Sequence, residues 1–252
     1  MRKHIRPRRS RAPLLAFAVL ALGACSTANG PDPWRETNER VFRFNEGLDK
    51  IVLEPVAEGY DVVAPSLLQL MIGNFFDNLT VPRTFFNNLL QGKPIAATQD
   101  LGRLVVNTLA GMGGLVDAAS EMGIPKHQED FGQTFGRWGA GPGPYVVLPG
   151  AGPNSVRDTL AAPFDIATNP TTWVNVFGLS VVRVVNTRAQ YLEEIDQARK
   201  DAVDYYVFVR DAYLSSRERA VRDGQAAPAD EDLYDLDELE DEEGAETPDA
   251  DS

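Results

Sequence analysis

Cysteine is almost missing from this chain. Cys25 is the only one in 252 residues, so no disulfide can close within it and no thiolate cluster can hold zinc or an iron–sulfur group. Histidine is nearly as scarce: beyond His4 near the start there is only His127. Any Ser-His-Asp relay in the body must use His127, whose neighbours Lys126, Gln128, Glu129 and Asp130 read as a polar surface loop. No Gly-x-Ser-x-Gly elbow occurs. Residues 139–143 are glycine-rich, but Pro142 and Pro144 remove backbone donors and no lysine follows, which argues against a phosphate-binding loop. The carboxylate pairs Glu129–Asp130 and Glu193–Glu194 sit in charged segments and read as solvated faces. Enzymatic chemistry therefore finds no purchase, and no metal or cofactor is expected. A net charge of -13 also argues against nucleic acid as a partner, because phosphate backbones demand lysine and arginine.

What charge there is lies unevenly. Residues 1–24 hold six basic side chains and no acidic one, whereas residues 224–252 hold thirteen acidic side chains and no basic one. The acidic end, with like charges repelling and few apolar groups, predicts disorder. Residues 26–33, small and rich in Pro and Gly, read as a tether. The folded body is expected over 34–223.

Apolar spacing in the body is mainly that of helices, and the fold class predicted is all-α. The first helix is expected from Thr37, stopped by Pro55. A second opens at Pro65-Ser66 and runs to about Leu79, where Pro82 interrupts. A short helix over residues 84–90 ends at Gly92, and Pro94 opens another that reaches about Leu109. Glycines break the chain at 111–116 and again over 136–153. Asn154 or Ser155 caps a short helix ending before Pro163, and Pro170 starts one through Trp173, Val176, Phe177, Val181 and Val184. The last helix is predicted from about Thr187 to Asp223, and only Tyr145–Leu148 suggests a strand.

Between residues 75 and 116 the apolar content is unusual for short helices and loops. Phe75, Phe76, Phe85, Phe86, Met112 and Leu115 fall in this stretch with few charges between them. They either pack a core or lie in a membrane interface; Trp34 and Trp138 would suit interfacial positions. On the first helix Asn38 and Asn45, seven apart, share a face, and Phe44-Asn45 is a candidate gating pair.

Two resemblances sharpen this. The basic residues 2–11, the nine apolar residues from Leu14 to Leu22 and the sequence Leu22-Gly23-Ala24-Cys25 resemble a lipoprotein signal with its lipobox. The run is too short to span a bilayer. The resemblance implies removal of residues 1–24 and attachment of diacylglycerol and an N-acyl chain to Cys25, leaving 25–33 as a lipidated tether. Ser26 resembles the outer-membrane class of such proteins.

The body resembles the MlaA (VacJ) family over roughly residues 32–215. The match rests on the ordered blocks Asp32-Pro33-Trp34, Asn38-Glu39, Phe44-Asn45, Asn74 to Leu79, Arg103 to Thr108, Gly111 to Asp117, Glu129 to Pro149 and Gly152 to Asp158. Membership implies a ring-like helical body in the inner leaflet of a Gram-negative outer membrane. Phospholipids misplaced in the outer leaflet would pass through its channel to a soluble periplasmic carrier, beside a trimeric porin, and lipid asymmetry would be kept. Phe44, Asn45, Phe75, Phe76, Phe85, Phe86, Met112 and Leu115 are the candidates for lipid contact or gating. The alternative is an adaptor lipoprotein that docks envelope proteins and moves nothing; it requires a filled core.

Overall fold

The computed structural model describes residues 32–173 and 178–225. The signal segment, Cys25, nearly all of the tether, Val176, Phe177 and the acidic tail beyond Gln225 lie outside the described residues.

Helix α1 (Arg35–Leu48) continues through a π-helical turn (Asp49–Leu53) into α2 (Glu54–Val63). Next come α3 (Ser66–Leu90), α4 (Pro94–Leu109) and the single turns of α5 (Ala118–Glu121) and α6 (Phe131–Arg137). An antiparallel hairpin follows, β1 (Tyr145–Leu148) with β2 (Gly152–Ser155), Tyr145 lying opposite Ser155 and Leu148 opposite Gly152. The chain ends with α7 (Val156–Thr168), α8 (Pro170–Trp173), α9 (Leu179–Gln190), α10 (Leu192–Asp201) and α11 (Tyr205–Val221). The all-α class holds, with one small hairpin added.

Start and stop signals act where backbone chemistry is local. Ser66 opens α3, Pro94 takes the first turn of α4, and Gly92 ends α3 at φ 75°. Ser155 caps α7, its hydroxyl accepting from Asp158 N at 3.2 Å.

Prolines depart from expectation three times. Pro55 does not stop the first helix, because the π turn before it absorbs the lost donor and Pro55 sits in the first turn of α2. Pro82 lies inside α3, which runs unbroken for 25 residues. An interior proline costs about 3 kcal/mol, and α3 offsets this through side-chain bonds to its neighbours: Asn88 Nδ2 donates to Asp100 Oδ2 (2.6 Å), Asn78 to Thr108 and Asn74 to Leu115 O. Pro163 likewise lies within α7, which is held by ring contacts of Phe164 with Phe131 and Phe135.

Three helices also differ in their bounds. The first helix starts at Arg35, and Thr37 is not its cap. The long terminal helix is three helices, broken at Tyr191 and again at Ala202, which turns extended (ψ 125°) before Asp204 caps α11 by accepting from Val207 N. A capping aspartate offers the backbone an alternative to continued helix. The helix expected from Pro170 through Val184 is also divided, since α9 begins only after Gly178 at φ 119°.

Contacts between elements close into a circuit: α1 on β1, β2 on α7, α7 on α6, α6 on α3, α3 on α9, α9 on α2, and α2 back through the π turn to α1. This is the expected ring-like arrangement. Its polarity is inverted relative to a water-soluble domain. Among the described residues the buried apolar side chains are mostly alanines, and an apolar core cluster centres on Tyr145, Val147 and Tyr206. The buried polar set is larger: Asn38, Gln69, Asn87, Asn88, Asp100 and Arg188 are among its members. On α3 the contrast is sharp. Asn78, Thr84, Asn87 and Asn88 face inward, while Leu67, Leu70, Phe86 and Leu90 are exposed. Burying that many polar groups costs several kcal/mol unless each finds a partner, and most do.

Candidate functional site

Two clefts open on the inside of the circuit. The first, about 610 Å³, is lined by Leu53, Phe76, Leu79, Leu179, Arg183 and Arg188, with other side chains of α8 to α10. The second, about 500 Å³, lies among α1, the π turn, the hairpin turn at Gly150–Pro153 and the final helices. Leu53, Arg188 and Ile195 line both, so the two clefts share a wall. Each has the size of a site for a substantial organic ligand.

The shared wall carries a charge cluster. Arg188 Nε donates to Asp49 Oδ1 at 3.0 Å and its Nη2 to Glu54 Oε2 at 3.1 Å. Arg199 reaches Asp49 (2.6 Å), Glu54 (2.7 Å) and Glu46 (3.1 Å). Asp49 and Glu54 are five residues apart, about 140° around an α-helix axis. The π turn between them brings both within reach of the same two guanidiniums. Burial alone would raise the Asp49 carboxyl; hydrogen bonds from Arg188 and Arg199 outweigh it and hold the group below its ordinary value.

The hairpin is clipped to α1 by the two asparagines that share a helix face. Asn38 Nδ2 donates to Tyr145 O (3.0 Å) and its Oδ1 accepts from Val147 N (2.9 Å). Seven residues on, Asn45 Nδ2 donates to Leu148 O (2.9 Å) and its Oδ1 accepts from Gly150 N (2.8 Å). Each side-chain amide thus imitates a strand backbone, and α1 lies along β1 like a third strand. Asn45 fixes the turn that edges the second cleft.

The other sequence candidates fall in different places. Phe76 lines the first cleft and is 3% exposed, whereas Phe75 is half-buried and stacks edge-on with it. Phe86 is 51% exposed on the outer face of α3, beside half-buried Phe85. Phe44 is 56% exposed and lines neither cleft. Met112, at φ 56°, is exposed in the glycine loop after α4, and Leu115 is half-buried there. That loop crosses α3 closely: a Cβ on Gly114 would meet Asn78 Cβ at 2.7 Å. Of the candidates, only Asn45 and Phe76 line a cleft.

Two polar readings need correction. His127 is not a free surface side chain: its Nδ1 lies 2.9 Å from Asp100 Oδ1, whose other oxygen accepts from Asn88. Glu129 and Asp130 are not a solvated pair either. Glu129 is buried and accepts from Gln91 (2.8 Å) and Lys93 (3.0 Å), while Asp130 caps α6 and takes a two-pronged contact from Arg217 at 2.7 and 2.9 Å. Burial would raise Asp130; Arg217 outweighs it and holds it at about 2. Among the described residues no cluster of His, Cys, Asp and Glu is arranged to hold a metal ion, and no helix is long and apolar enough to cross a membrane.

The chain and its fold have counterparts among known proteins. The family model described as MlaA lipoprotein matches residues 30–220. The chain belongs to the MlaA lipoprotein family. It is 31% identical over 248 residues to the Escherichia coli intermembrane phospholipid transport system lipoprotein MlaA, covering 90% of this chain and 98% of that one. The corresponding Haemophilus influenzae protein is 31% identical over 235 residues, covering 87% and 93%. An uncharacterized Rickettsia felis protein is 35% identical over 196 residues, 76% of this chain and 78% of its own. In three dimensions the chain matches one from a structural study of the maintenance of bacterial outer membrane lipid asymmetry, with a TM-score of 0.68 and 33% identity over 75% of this chain and 98% of that chain.

Sequence reasoning missed Arg188, Arg199, Asp49 and Glu54. Their signal was present in the carboxylates flanking 49–54 and in the arginines of α9 and α10, but helical spacing without the π turn places Asp49 and Glu54 on different faces.

Proposed function

We propose that this protein carries phospholipids through the two joined clefts, from the outer leaflet of the outer membrane to the periplasmic side, and so preserves lipid asymmetry. Acyl chains on Cys25 hold it at the inner leaflet, since more than one chain is needed for stable anchoring. The exposed apolar side chains of α3 and α4 meet lipid tails there. A soluble periplasmic carrier receives the lipid, and a trimeric porin is the membrane partner. No bond is made or broken in such a passage, so the chain acts as a lipid-transport component and needs no catalytic residue.

The observation that carries this reading is the inverted polarity around open clefts. An exposed apolar belt is costly in water and favourable in lipid. Apolar walls interrupted by a compensated charge cluster suit a molecule with tails and a polar head. The adaptor alternative requires a filled core, and these clefts are open.

Leu53 tests it, because it lines both clefts. Leu53→Trp should leave thermal unfolding within a few degrees of the parent while outer-leaflet phospholipid accumulates in cells relying on the variant. Normal asymmetry in those cells, with the variant folded and at normal abundance, would overturn the reading.

A further inference from the structure

Arg183 differs from most of the sheltered cations among the described residues. Arg103, Arg188, Arg199 and Arg217 each contact one or more carboxylates at 3.1 Å or less. Arg183 lies half-buried in the first cleft, beside Phe76, Leu79, Leu179 and Val184, and makes no hydrogen bond or ion pair among the described residues. Asp77 attracts it from beyond contact distance, but that carboxylate is already held by Lys126 at 2.6 Å, and Arg83 repels it. Burial, the main cause, pushes the Arg183 guanidinium below its ordinary value. Such a cation gains from any anion able to enter the cleft.

A second donor is free in the same wall. Arg188 has its Nε and Nη2 engaged, but its Nη1 is buried with no hydrogen-bond partner. Arg183 and Arg188 are five residues apart on α9, about 7.5 Å along the axis and about 140° around it, yet both line the first cleft. Guanidinium N–H groups match the non-bridging oxygens of a phosphate better than any other side chain does. Past Arg188 the charge reverses: the cluster holds four carboxylates, Glu46, Asp49, Glu54 and Asp196, against Arg188 and Arg199. An anionic group is drawn to the Arg183 side and discouraged from travelling on into the second cleft.

We propose that the first cleft binds the phosphodiester of a phospholipid, with Arg183 as its cationic contact and Arg188 Nη1 as a second donor. This rests on the transport reading above and names the headgroup contact within it. The apolar walls receive the proximal parts of the acyl chains, and a single unpaired cation, in place of a dense basic patch, holds the lipid without trapping it.

The test uses the full-length acylated protein in detergent, exposed to phosphatidylethanolamine vesicles and, separately, to diacylglycerol vesicles of the same chain length. Lipid retained after gel filtration is measured. The parent should retain phosphatidylethanolamine at least fivefold over diacylglycerol. Arg183→Gln should bring that ratio close to one at an unchanged melting temperature, and Arg183→Lys should keep most of it. Inorganic phosphate at millimolar concentration should not displace the lipid. An unchanged ratio in Arg183→Gln overturns the assignment while leaving transport standing. Displacement by inorganic phosphate overturns it in favour of a free-phosphate site. A parent protein that retains neither lipid overturns both this assignment and the transport reading.

Discussion

Removing Asn45 or Asn38 separates gating from folding, and the hydrogen bonds give the expected sizes. In Asn38→Ala, Tyr145 O and Val147 N both lose their side-chain partner in a buried place. Unsatisfied buried groups cost about 1–3 kcal/mol each, so about 2–6 kcal/mol is expected. In Asn45→Ala, Leu148 O keeps its bond from Ala151 N at 3.2 Å, and Gly150 N is exposed enough for water to replace the lost acceptor. The cost falls to about 1 kcal/mol. For a domain of this size 1 kcal/mol shifts the midpoint by about 2–4 °C. Asn45→Ala should therefore lose about 2–4 °C and Asn38→Ala about two to six times that. Amide exchange at Gly150 should rise about fivefold in Asn45→Ala, with β1 still protected. Freed from α1, the turn at Gly150–Pro153 moves at the edge of the second cleft, and lipid should leak even beside a parental copy. Equal losses of stability in the two variants, or an unchanged Gly150 amide in Asn45→Ala, would refute the clip.

Cys25→Ala should leave an uncleaved precursor without acyl chains; metabolic labelling with palmitate and envelope fractionation read this directly, and normal labelling would exclude the lipobox. Phe86→Glu should lower vesicle partitioning about tenfold or more, since charge in lipid costs a few kcal/mol, yet leave the midpoint in detergent nearly unchanged; equal partitioning would place Phe86 in water. Asp130 is held at about 2 against an ordinary 3.8, so its folded form favours the charged state. Its contribution, about 2 kcal/mol, is present above pH 4 and lost as pH falls from about 4 towards 2. Asp130→Asn should flatten unfolding free energy across that window, and a variant that retains the parent's slope there would rule this out.

Helix starts and stops were legible wherever backbone chemistry acts locally: Ser66, Gly92, Pro94 and Ser155 read the same in sequence and structure. Pro82 and Pro163 were not, because whether an interior proline breaks a helix depends on what neighbours pay back. Asn88 with Asp100, and Phe164 with Phe131, are 12 and 33 residues apart in the chain. The breaks at Tyr191 and Ala202 were hidden because Leu192, Ile195, Ala202, Tyr206, Val209 and Tyr213 recur in steps of three, four or seven, and such a stripe survives a change of helix direction. His127 and Glu129 were misread for the opposite reason: their partners Asp100, Gln91 and Lys93 come from α4 and the turn before it, and no local pattern announces that.

The direction of the apolar faces is the deeper difficulty. Periodicity locates a stripe on a helix but does not say whether the stripe faces a core or a lipid. On α3, the stripe that a water-soluble reading would bury is exposed, and Asn78, Thr84, Asn87 and Asn88 are buried in its place. The decisive sign in the sequence was the pairing of Phe and Leu with Asn along one segment, 74–90, with few charges. Asparagine is a poor choice for a solvated helix face and a good one for an interior that must bind side chain to side chain. A bilayer supplies no hydrogen bonds, so a protein that turns its apolar side outward must satisfy its polar groups internally. The same condition makes the two exceptions in the first cleft informative: Arg183 and Arg188 Nη1 are left without partners where a passing phosphate would supply them.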